Sequence, residues 1–505
     1  MVNNKGKLIS NTIYLFLEWF VVNLLSFLYW LTTGKTLLPE EYGIVSTTTN
    51  LAMVLSGISL LGLNLSVMKL LPEYLSRKEN KKVVSLMRIS LQIIILTNLA
   101  IALILILFSV QIASSLKVPI TVVWISIAIL FAVSFSNQFG SIIYGFQNMR
   151  QNFISNFFGQ LTKVFISMLL IFLGLGYLGP LLGFLLGFLL IAFMRFKFSY
   201  YYFSSSTEKI NIKKIMKNYA LPAFVSFLAW TLFLNGQYVL LTILKNPEAT
   251  GIFTIAMVLT SIVATLPSIL NSALFPVISS LSIDRNSEKN QSYLIQLVFR
   301  YSLFLTLPIA AFLTIFSKPV ILIFSRPEYL KSSELFPILV TGSLIYGLGN
   351  IFLSSLYAIG KTKTNMNIVI LTTLLFLCLA IPLASFLAEF GMALAYTLTV
   401  ILLTLLSFFY LRKNLKIKFP LKNMIKCLVA VFVSILFLYI TTGFTASLIT
   451  GIPLAIIAGL IYLEILILLR FYVKEDVKIL EFFASKSPVF KKEISFLAKF
   501  LSKHT

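Results

Sequence analysis

The sequence has few charged or catalytically versatile residues for its length. Only 11% of its 505 residues are charged, less than half the share of about 25% that is typical of a soluble domain. Two aspartates (Asp284 and Asp476) and one histidine (His504) occur in the whole chain, which excludes histidine-based catalysis and histidine metal sites. The two cysteines, Cys378 and Cys427, lie in or beside apolar runs, so no disulfide framework is indicated.

The chain is correspondingly rich in apolar residues. They make up 58% of the chain, 46 of them are Phe, and the mean hydropathy is +0.95. Because a bilayer core about 30 Å thick requires about 20 apolar residues per helix, the sequence predicts an all-α polytopic membrane protein with about fourteen transmembrane helices. The predicted spans are 8–33, 43–71, 84–108, 119–145, 152–174, 177–197, 218–244, 250–281, 293–317, 333–359, 364–387, 390–411, 422–442 and 446–470.

The Lys and Arg residues that give the net charge of +24 are distributed unequally between the two sides of the membrane in the predicted topology. With the N-terminus inside, thirty-three of the 41 Lys and Arg residues fall in cytoplasmic segments and only six in outer loops. Such an imbalance predicts that both termini are cytoplasmic in a multi-pass protein of the plasma membrane. The basic charge is thereby explained by membrane orientation, and nucleic acid is not expected as a partner.

The loops are too short for a soluble catalytic or nucleotide-binding domain. The longest cytoplasmic loop is 198–217, and no phosphate loop of the GxxxxGK[ST] type is present. A membrane-embedded glycosyltransferase or ligase would need a carboxylate, metal or histidine near a membrane face, and the largest outer loop offers only Glu328 and Glu334 beside Arg326. We therefore expect no enzymatic activity. A purely structural scaffold would leave the charges inside the spans unexplained.

Three pairs of short motifs indicate an internal duplication. PEEYGI at 39–44 returns as PEATGI at 247–252, and both follow the first span of a predicted six-span half. The other pairs are Arg88-x-Ser-Leu with Arg300-x-Ser-Leu, and Tyr144 with Asn152 matching Tyr357 with Asn365. Because six spans return the chain to the same side, the two halves form a parallel repeat, which is an established plan for transporters.

The duplication divides the chain into four predicted regions. These are an N-terminal six-helix lobe (1–200), a C-terminal six-helix lobe (201–415), an extra helix pair (416–470) and a cytoplasmic tail (471–505). Apolar residues in the tail recur at helical spacing between lysines, at Phe490, Ile494, Leu497 and Leu501. This pattern favours a basic amphipathic helix on the anionic inner leaflet, and a solvated helix packed on the inner loops is the alternative.

Several of these segments resemble a known family. The stretch Leu38–Ile44 (LPEEYGI) is similar to the entry to span two in Wzx-like polysaccharide and oligosaccharide flippases of the multidrug/oligosaccharidyl-lipid/polysaccharide (MOP) exporter superfamily. Gly62–Leu75, Gln237–Phe253 and Tyr357–Thr362 resemble further segments of that family, so the likeness extends over roughly 1–415. It implies two six-helix lobes plus two helices, and transport of a lipid-linked glycan. Gln237 stands where the family often has an acidic residue.

Two charged residues lie near the middle of predicted spans, where a charge costs several kcal/mol and marks a functional candidate. Glu18 is about eleven residues into the first span. It is predicted to bind a coupling proton or Na⁺ or to pair with a cavity lysine, and the alternative is a neutral carboxyl bonded between helices. Lys163 is equally deep in span five. It is predicted to hold an anionic head group, or else to be the ion-pair partner of Glu18.

Five further residues complete the predicted binding site. Lys69 lies close to a cytoplasmic end and either contacts the ligand or extends to the interface. Arg88 and Arg300, taken as equivalent positions of the two halves, are predicted to flank a phosphate, unless they are ordinary interfacial arginines. Asn235 and Gln237 interrupt an apolar run, and either line the cavity or hold helices together.

The balance of these charges decides between two functions. A flippase for a polyprenyl-(pyro)phosphate-linked glycan requires a cationic cavity, and the deep cations outnumber the single midplane carboxylate. A cation-coupled multidrug exporter would require the reverse. The sequence therefore predicts a flippase that works by alternating access, with the drug exporter as the alternative. No cofactor is expected beyond a coupling H⁺ or Na⁺, and the protein is expected to act as a monomer among membrane lipids.

Overall fold

The chain is almost entirely helical in the computed structural model, which describes residues 2–200, 202–203, 208–282, 287–415, 417, 420–442, 448–473 and 476–477. No β-strand occurs in this described part. The α-helices are α1 (Val2–Thr36), α2 (Pro39–Ser59), α3 (Leu63–Ser76), α4 (Asn80–Leu107), α5 (Ser109–Leu116), α6 (Ile120–Gly145), α7 (Met149–Phe172), α8 (Leu178–Tyr200), α9 (Ile212–Ile215), α10 (Leu221–Leu244), α11 (Pro247–Thr260), α12 (Ile262–Leu281), α13 (Glu288–Ile315), α14 (Ser317–Phe324), α15 (Phe336–Ala358), α16 (Thr362–Leu415), α17 (Leu421–Thr442) and α18 (Leu448–Leu468).

These helices confirm the predicted membrane-spanning architecture. Eleven are long and apolar enough to cross a bilayer, and α2 with α3, bent by 51° relative to each other, make a twelfth when the pair is counted as one span. The 54-residue α16 contains a break at Ala388 (φ 51°, ψ −130°), which falls between the predicted spans 364–387 and 390–411. Since α18 coincides with the last predicted span, each of the fourteen predicted segments corresponds to a helix, a helix pair or one arm of α16.

The helix boundaries show the duplication directly. Helices α4 and α13 each have 28 residues, and each is followed by a separate helix of eight residues, α5 and α14. All four begin at positions related by 208 residues, as do Pro39 and Pro247. From the ends of α6 and α15 onward the spacing is 213, because the outer loop of the second half contains a 3₁₀ helix, Pro327–Leu335. The parallel repeat predicted from short motifs is therefore a repeat of whole helices.

The repeated motifs at 39–44 and 247–252 pack against each other at the starts of α2 and α11. A Cβ atom on Gly43 would lie 1.7 Å from the Pro247 carbonyl oxygen, and one on Gly251 would lie 1.9 Å from the Pro39 carbonyl oxygen. One turn further on, the Thr254 hydroxyl donates to Ser46 Oγ at 2.9 Å. We call this contact the α2–α11 seam. Only glycine allows the two backbones to approach this closely.

The described residues form two compact units that are discontinuous in sequence. The first comprises Met1–Leu259, Ile321–Leu339 and Lys363–Leu403, and the second comprises Thr260–Val320, Val340–Thr362 and the described residues from Thr404 onward. In the first unit α1 and α8 both pack on α7, and α2 packs on α6 and α10. In the second unit α13 packs on α12 and α17, and α17 on α18. The lobes predicted at 1–200 and 201–415 stay a prediction, and the predicted helix at 490–501 lies outside the described residues.

Candidate functional site

Glu18 is the centre of a buried polar cluster in the first unit. Its side chain extends from α1, and the residue is only 9% exposed. Asn152 Nδ2 on α7 donates to both carboxylate oxygens at 2.7 and 2.8 Å, and Asn156 Nδ2 donates at 2.6 Å. The Tyr144 hydroxyl, on α6, donates at 3.2 Å. Because a carboxylate only accepts hydrogen bonds when it is ionised, three neighbouring donors match the charged form of Glu18.

Arg195 supplies the positive charge next to this carboxylate. It lies on α8, is 6% exposed, and is close enough to Glu18 to interact with it electrostatically. Its Nε donates to Ser155 Oγ at 3.2 Å, and its Nη1 donates to the Ser136 carbonyl oxygen at 2.8 Å. A buried charge is tolerated when it is paired and hydrogen-bonded. Glu18 and Arg195 therefore belong to one hydrogen-bonded cluster with charges of opposite sign, to which α1, α6, α7 and α8 all contribute.

Sequence reasoning missed Arg195 because its position near the end of span six made it one of the cytoplasmic basic residues. In the sequence, Tyr144 and Asn152 stand out only as members of a repeated motif, and Asn156 belongs to no motif. A usable signal was present, since Asn152 and Asn156 are four residues apart and lie on one face of a helix. Two amide side chains facing the same buried group could have been proposed from that spacing.

Lys163 lies in a different buried environment of the same unit. The residue is 3% exposed, and its Nζ donates to Ser26 Oγ at 3.2 Å. The ammonium lies 4.8 Å from the centre of the Tyr29 ring and 5.6 Å from that of Phe184. Helix α8 approaches closely beside it, because a Cβ on Gly187 would lie 2.8 Å from Lys163 Cβ.

The predicted alternative pairing of Lys163 with Glu18 is not formed. Lys163 makes no ion pair within the described residues, and its partner Ser26 is eight residues from Glu18 on α1. Eight residues correspond to about 12 Å along a helix, so the two groups are separated by two turns. The cation that interacts electrostatically with Glu18 is Arg195. Head-group binding by Lys163 stays a prediction.

Lys69, Arg88 and Arg300 occupy three different environments. Lys69 on α3 is exposed, and its Nζ lies 4.2 Å from the centre of the Tyr219 ring. Arg88 is half-buried on α4. Arg300 on α13 is 6% exposed and forms an ion pair with Asp476.

The interpretation of Arg88 and Arg300 as equivalent positions is wrong by one helical turn. Arg88 is the ninth residue of α4, whereas Arg300 is the thirteenth residue of α13, a helix of the same length. The shared Arg-x-Ser-Leu letters therefore match out of register with the helices that carry them. Both arginines keep their individual predicted roles, but the symmetry argument for a shared phosphate no longer supports them.

Asn235 and Gln237 bond within their own helix, α10. Asn235 Nδ2 donates to the Thr231 carbonyl at 3.2 Å, and Gln237 Nε2 donates to the Leu234 carbonyl at 3.0 Å. Gln237 is 1% exposed, and its Oε1 has no hydrogen-bond partner among the described residues. These contacts do not join helices, so the alternative of a role in helix association gains no support from them, and cavity lining stays a prediction.

Comparisons with known proteins agree with this fold. The sequence profile of the family described as polysaccharide biosynthesis protein matches residues 8–282, and the MatE profile matches residues 222–384. None of the curated protein sequences matches the chain.

Solved structures extend the likeness over most of the chain. A structure described as the lipid II flippase MurJ in an inward closed conformation has a TM-score of 0.71 at 19% identity, covering 89% of this chain and 97% of that one. An inward-facing multidrug resistance MATE family transporter of the MOP superfamily has a TM-score of 0.66 at 14% identity, covering 78% and 94%. A mutant of the MATE transporter VcmN of Vibrio cholerae has a TM-score of 0.53 at 18% identity, covering 81% and 97%.

Proposed function

The chain belongs to the polysaccharide biosynthesis protein family, within the MOP superfamily of flippases and exporters, and on that basis we propose that it is a flippase for lipid-linked glycans. Its substrate is a polyprenyl-(pyro)phosphate-linked oligosaccharide or polysaccharide precursor, moved from the cytoplasmic to the outer leaflet by alternating access. The proposal involves transport without a covalent step, by a monomer in the plasma membrane with both termini in the cytoplasm.

The observation that carries the proposal is the set of partners around the buried ionisable groups in the first unit. Glu18 and Arg195 are close enough to interact electrostatically without forming a direct ion pair, whereas Lys163 has aromatic rings and a hydroxyl around it and no ion pair within the described residues. One positive charge in this unit therefore lacks a buried negative partner. A substrate phosphate would supply it, since a charge removed from water is stable only when it is compensated.

The α2–α11 seam is the contact that would open to the outside during alternating access. It lies at the starts of two helices that, in the proposed orientation, begin at the outer surface. Release of a glycan to the outside would require α2 and α11 to separate there. Direct side-chain bonding across this seam includes the Thr254–Ser46 hydrogen bond, and its opening would exchange such bonds for contacts with water.

The Glu18 cluster is the proposed position of coupling to H⁺ or Na⁺. Its three side-chain donors stabilise the ionised carboxylate, so protonation or entry of a cation would weaken the hydrogen bonds that Tyr144, Asn152 and Asn156 donate to it. Because these donors are on α6 and α7, the change would alter how α1 is held against both helices.

A cation-coupled multidrug exporter is the second candidate, and two observations favour it. The MatE profile matches residues 222–384, and Glu18 is a buried carboxylate, the type of group that binds an organic cation. The two candidates require opposite ligands at the buried charges: an anion at Lys163 for the flippase, and a cation at Glu18 for the exporter.

Reconstituted transport separates the two candidates. The assay follows a fluorescent polyprenyl-pyrophosphate sugar in proteoliposomes containing the wild type, Lys163→Ala, or the matched control Lys289→Ala, which removes an exposed lysine of α13. We expect flipping by the wild type and the control and its loss in Lys163→Ala. Transport of a cationic dye instead of the lipid, abolished by Glu18→Gln, would establish the exporter and exclude the flippase.

A further inference from the structure

Arg300 lies at a site in the second unit where the chain supplies its own anion. Its guanidinium Nη2 donates to Asp476 Oδ1, and the neighbouring Tyr301 hydroxyl donates to the same oxygen. Both members of the ion pair are 6% exposed. Asp476 is one of only two aspartates in the chain. Its carboxylate accepts a hydrogen bond from Arg300, which precedes it by 176 residues in the sequence.

Asp476 belongs to a short segment that follows α18 and packs on α13. We call its described residues, Arg470–Val473 and Asp476–Val477, the clasp. The chain reverses at Arg470, where φ is 50°, and the Phe471 ring, 2% exposed, stacks on Phe304 at 5.8 Å. The Phe471 ring also lies 5.4 Å from the Arg300 guanidinium. The clasp therefore covers the arginine with both a carboxylate and an aromatic face.

The clasp holds its carboxylate in place through its own backbone. The Val473 N–H donates to Asp476 Oδ2 at 2.8 Å, and the Asp476 N–H donates to the Val473 carbonyl at 2.9 Å. Lys426 Nζ on α17 donates to the Arg470 carbonyl at 2.7 Å. Because the internal bonds of the clasp do not involve α13, the clasp can leave α13 as a unit, keeping those bonds.

Arg300 retains unused bonding capacity beneath the clasp. Its Nε is buried and has no hydrogen-bond partner among the described residues. A guanidinium presents a fork of donors that suits the several oxygens of a phosphate, whereas Asp476 engages it through a single oxygen. A phosphate would satisfy more of this donor set than the carboxylate does.

We propose that Arg300 and the Tyr301 hydroxyl form a binding site for a phosphate-class anion, and that the Asp476 carboxylate occupies this site until such an anion displaces it. A buried guanidinium is strongly unfavourable without a negative partner, so the clasp leaves only as another anion arrives. Binding of the anion and release of the clasp are then one exchange. The proposed function enters only in identifying the phosphate as that of the lipid carrier.

Amide hydrogen exchange in the clasp tests this exchange without any transport step. The full chain is placed in nanodiscs as the wild type, as Asp476→Asn, as the charge swap Arg300→Asp with Asp476→Arg, and as the control Glu464→Gln, which removes an exposed carboxylate of α18. Asp476→Asn is expected to speed exchange in the clasp by about tenfold or more, because a hydrogen bond to a charged group is lost. Glu464→Gln is expected to leave it unchanged.

The decisive measurement adds the anion. Polyprenyl phosphate in the nanodisc is expected to speed exchange in the wild-type clasp toward the rate of Asp476→Asn, and to leave the charge swap protected. An equal response to inorganic pyrophosphate alone would assign the site to soluble anions, and a response only to the lipid would assign it to the carrier.

Two results would overturn the proposal. In one, the wild-type clasp stays protected at every concentration of both probes while Asp476→Asn is released, which makes Asp476 a permanent anchor. In the other, the charge swap responds to polyprenyl phosphate as the wild type does, which removes Arg300 from the site. Neither result depends on flipping, so a failed transport assay and a failed exchange assay are distinguishable.

Discussion

The two halves of the duplication share their helices but differ in their buried charges. At the 208- and 213-residue spacings of the helices, Glu18, Lys163 and Arg195 correspond to Ser226, Phe376 and Phe408. Phe376 is fully buried and packs edge-on against Phe233 at 5.4 Å. The second half therefore has apolar or neutral residues at all three positions, which shows that the fold does not require these charges.

Two of the polar residues that bond to Glu18 recur in the second half, although the charged residues do not. Tyr144 and Asn152, which hold Glu18, have counterparts of the same type in Tyr357 and Asn365, although no carboxylate stands at position 226. The second half has another buried pair, Arg300 with Asp476, and the aspartate comes from outside the duplicated segment. The duplication thus supplied a common scaffold, and each half acquired its own charged site.

The largest effect is expected from neutralising the carboxylate of the first half. Glu18→Gln should lower the free energy of unfolding by about 3 to 5 kcal/mol, because Arg195 is left buried without a negative neighbour. Ser226→Gln, the matched change in the second half, should have little effect. Chemical unfolding in detergent measures both, and adding Arg195→Met to Glu18→Gln should recover part of the loss. Equal effects of Glu18→Gln and Ser226→Gln would remove the distinction between the halves.

At the α2–α11 seam, by contrast, matched substitutions in the two halves should lower the free energy of unfolding equally. Gly43→Ala and Gly251→Ala each place a methyl group within 2 Å of a backbone oxygen, so each should cost about 2 to 3 kcal/mol through overpacking. Gly236→Ala is the control, since its nearest neighbouring atom would be 3.8 Å away. Thermal unfolding of the three variants checks this, and a large difference between Gly43→Ala and Gly251→Ala would contradict a symmetric contact.

Replacing Lys163 should raise the stability of the protein and abolish its transport activity. Lys163→Met is expected to raise the free energy of unfolding by about 1 to 2 kcal/mol, because an apolar side chain replaces a buried charge without an ion-pair partner. Flipping should be lost in the same variant. The exposed control Lys289→Met should change stability by less than about 0.5 kcal/mol. A destabilised Lys163→Met protein would show that the ammonium is already compensated.

The smallest effect concerns the tyrosines that the two halves share. Tyr144→Phe removes a hydrogen bond to a charged group and should cost about 1.5 kcal/mol. Tyr357→Phe should change stability by no more than about 0.5 kcal/mol, because Tyr357 is 55% exposed. Both values come from the same unfolding experiment. A similar cost at both positions would mean that the second tyrosine has an equally important buried bond.

The sequence predicted those features that depend on runs of residues. The fourteen spans follow from apolar length, and even the break at Ala388 falls in the two-residue gap between predicted spans. The duplication was recognisable from motifs, but one motif was out of register, because Arg-x-Ser-Leu repeats by letters at 88 and 300 and not by helix position. Short matches do not fix a register; helix boundaries do.

Side-chain partners were much less predictable. Arg195 lies close to the cytoplasmic end of a predicted span, where arginines are common because cytoplasmic loops are rich in basic residues. Nothing in its local sequence shows that its side chain is buried between helices. Asp476 pairs with a residue 176 positions away, a distance over which no pattern in a single sequence connects two charges. Lys163 was found because depth in a span is a local property.

The reciprocal geometry of the seam has a consequence for the origin of the molecule. Gly43 meets the carbonyl of Pro247, and Gly251 meets the carbonyl of Pro39, so each motif contacts the other through the same atoms. Such reciprocity is the mark of an isologous interface, in which one patch on a subunit binds the identical patch on its copy. The contact now made within one chain therefore has the form of a homodimer interface, and a six-span ancestor that paired with itself through this glycine would have contained it before the two copies were joined.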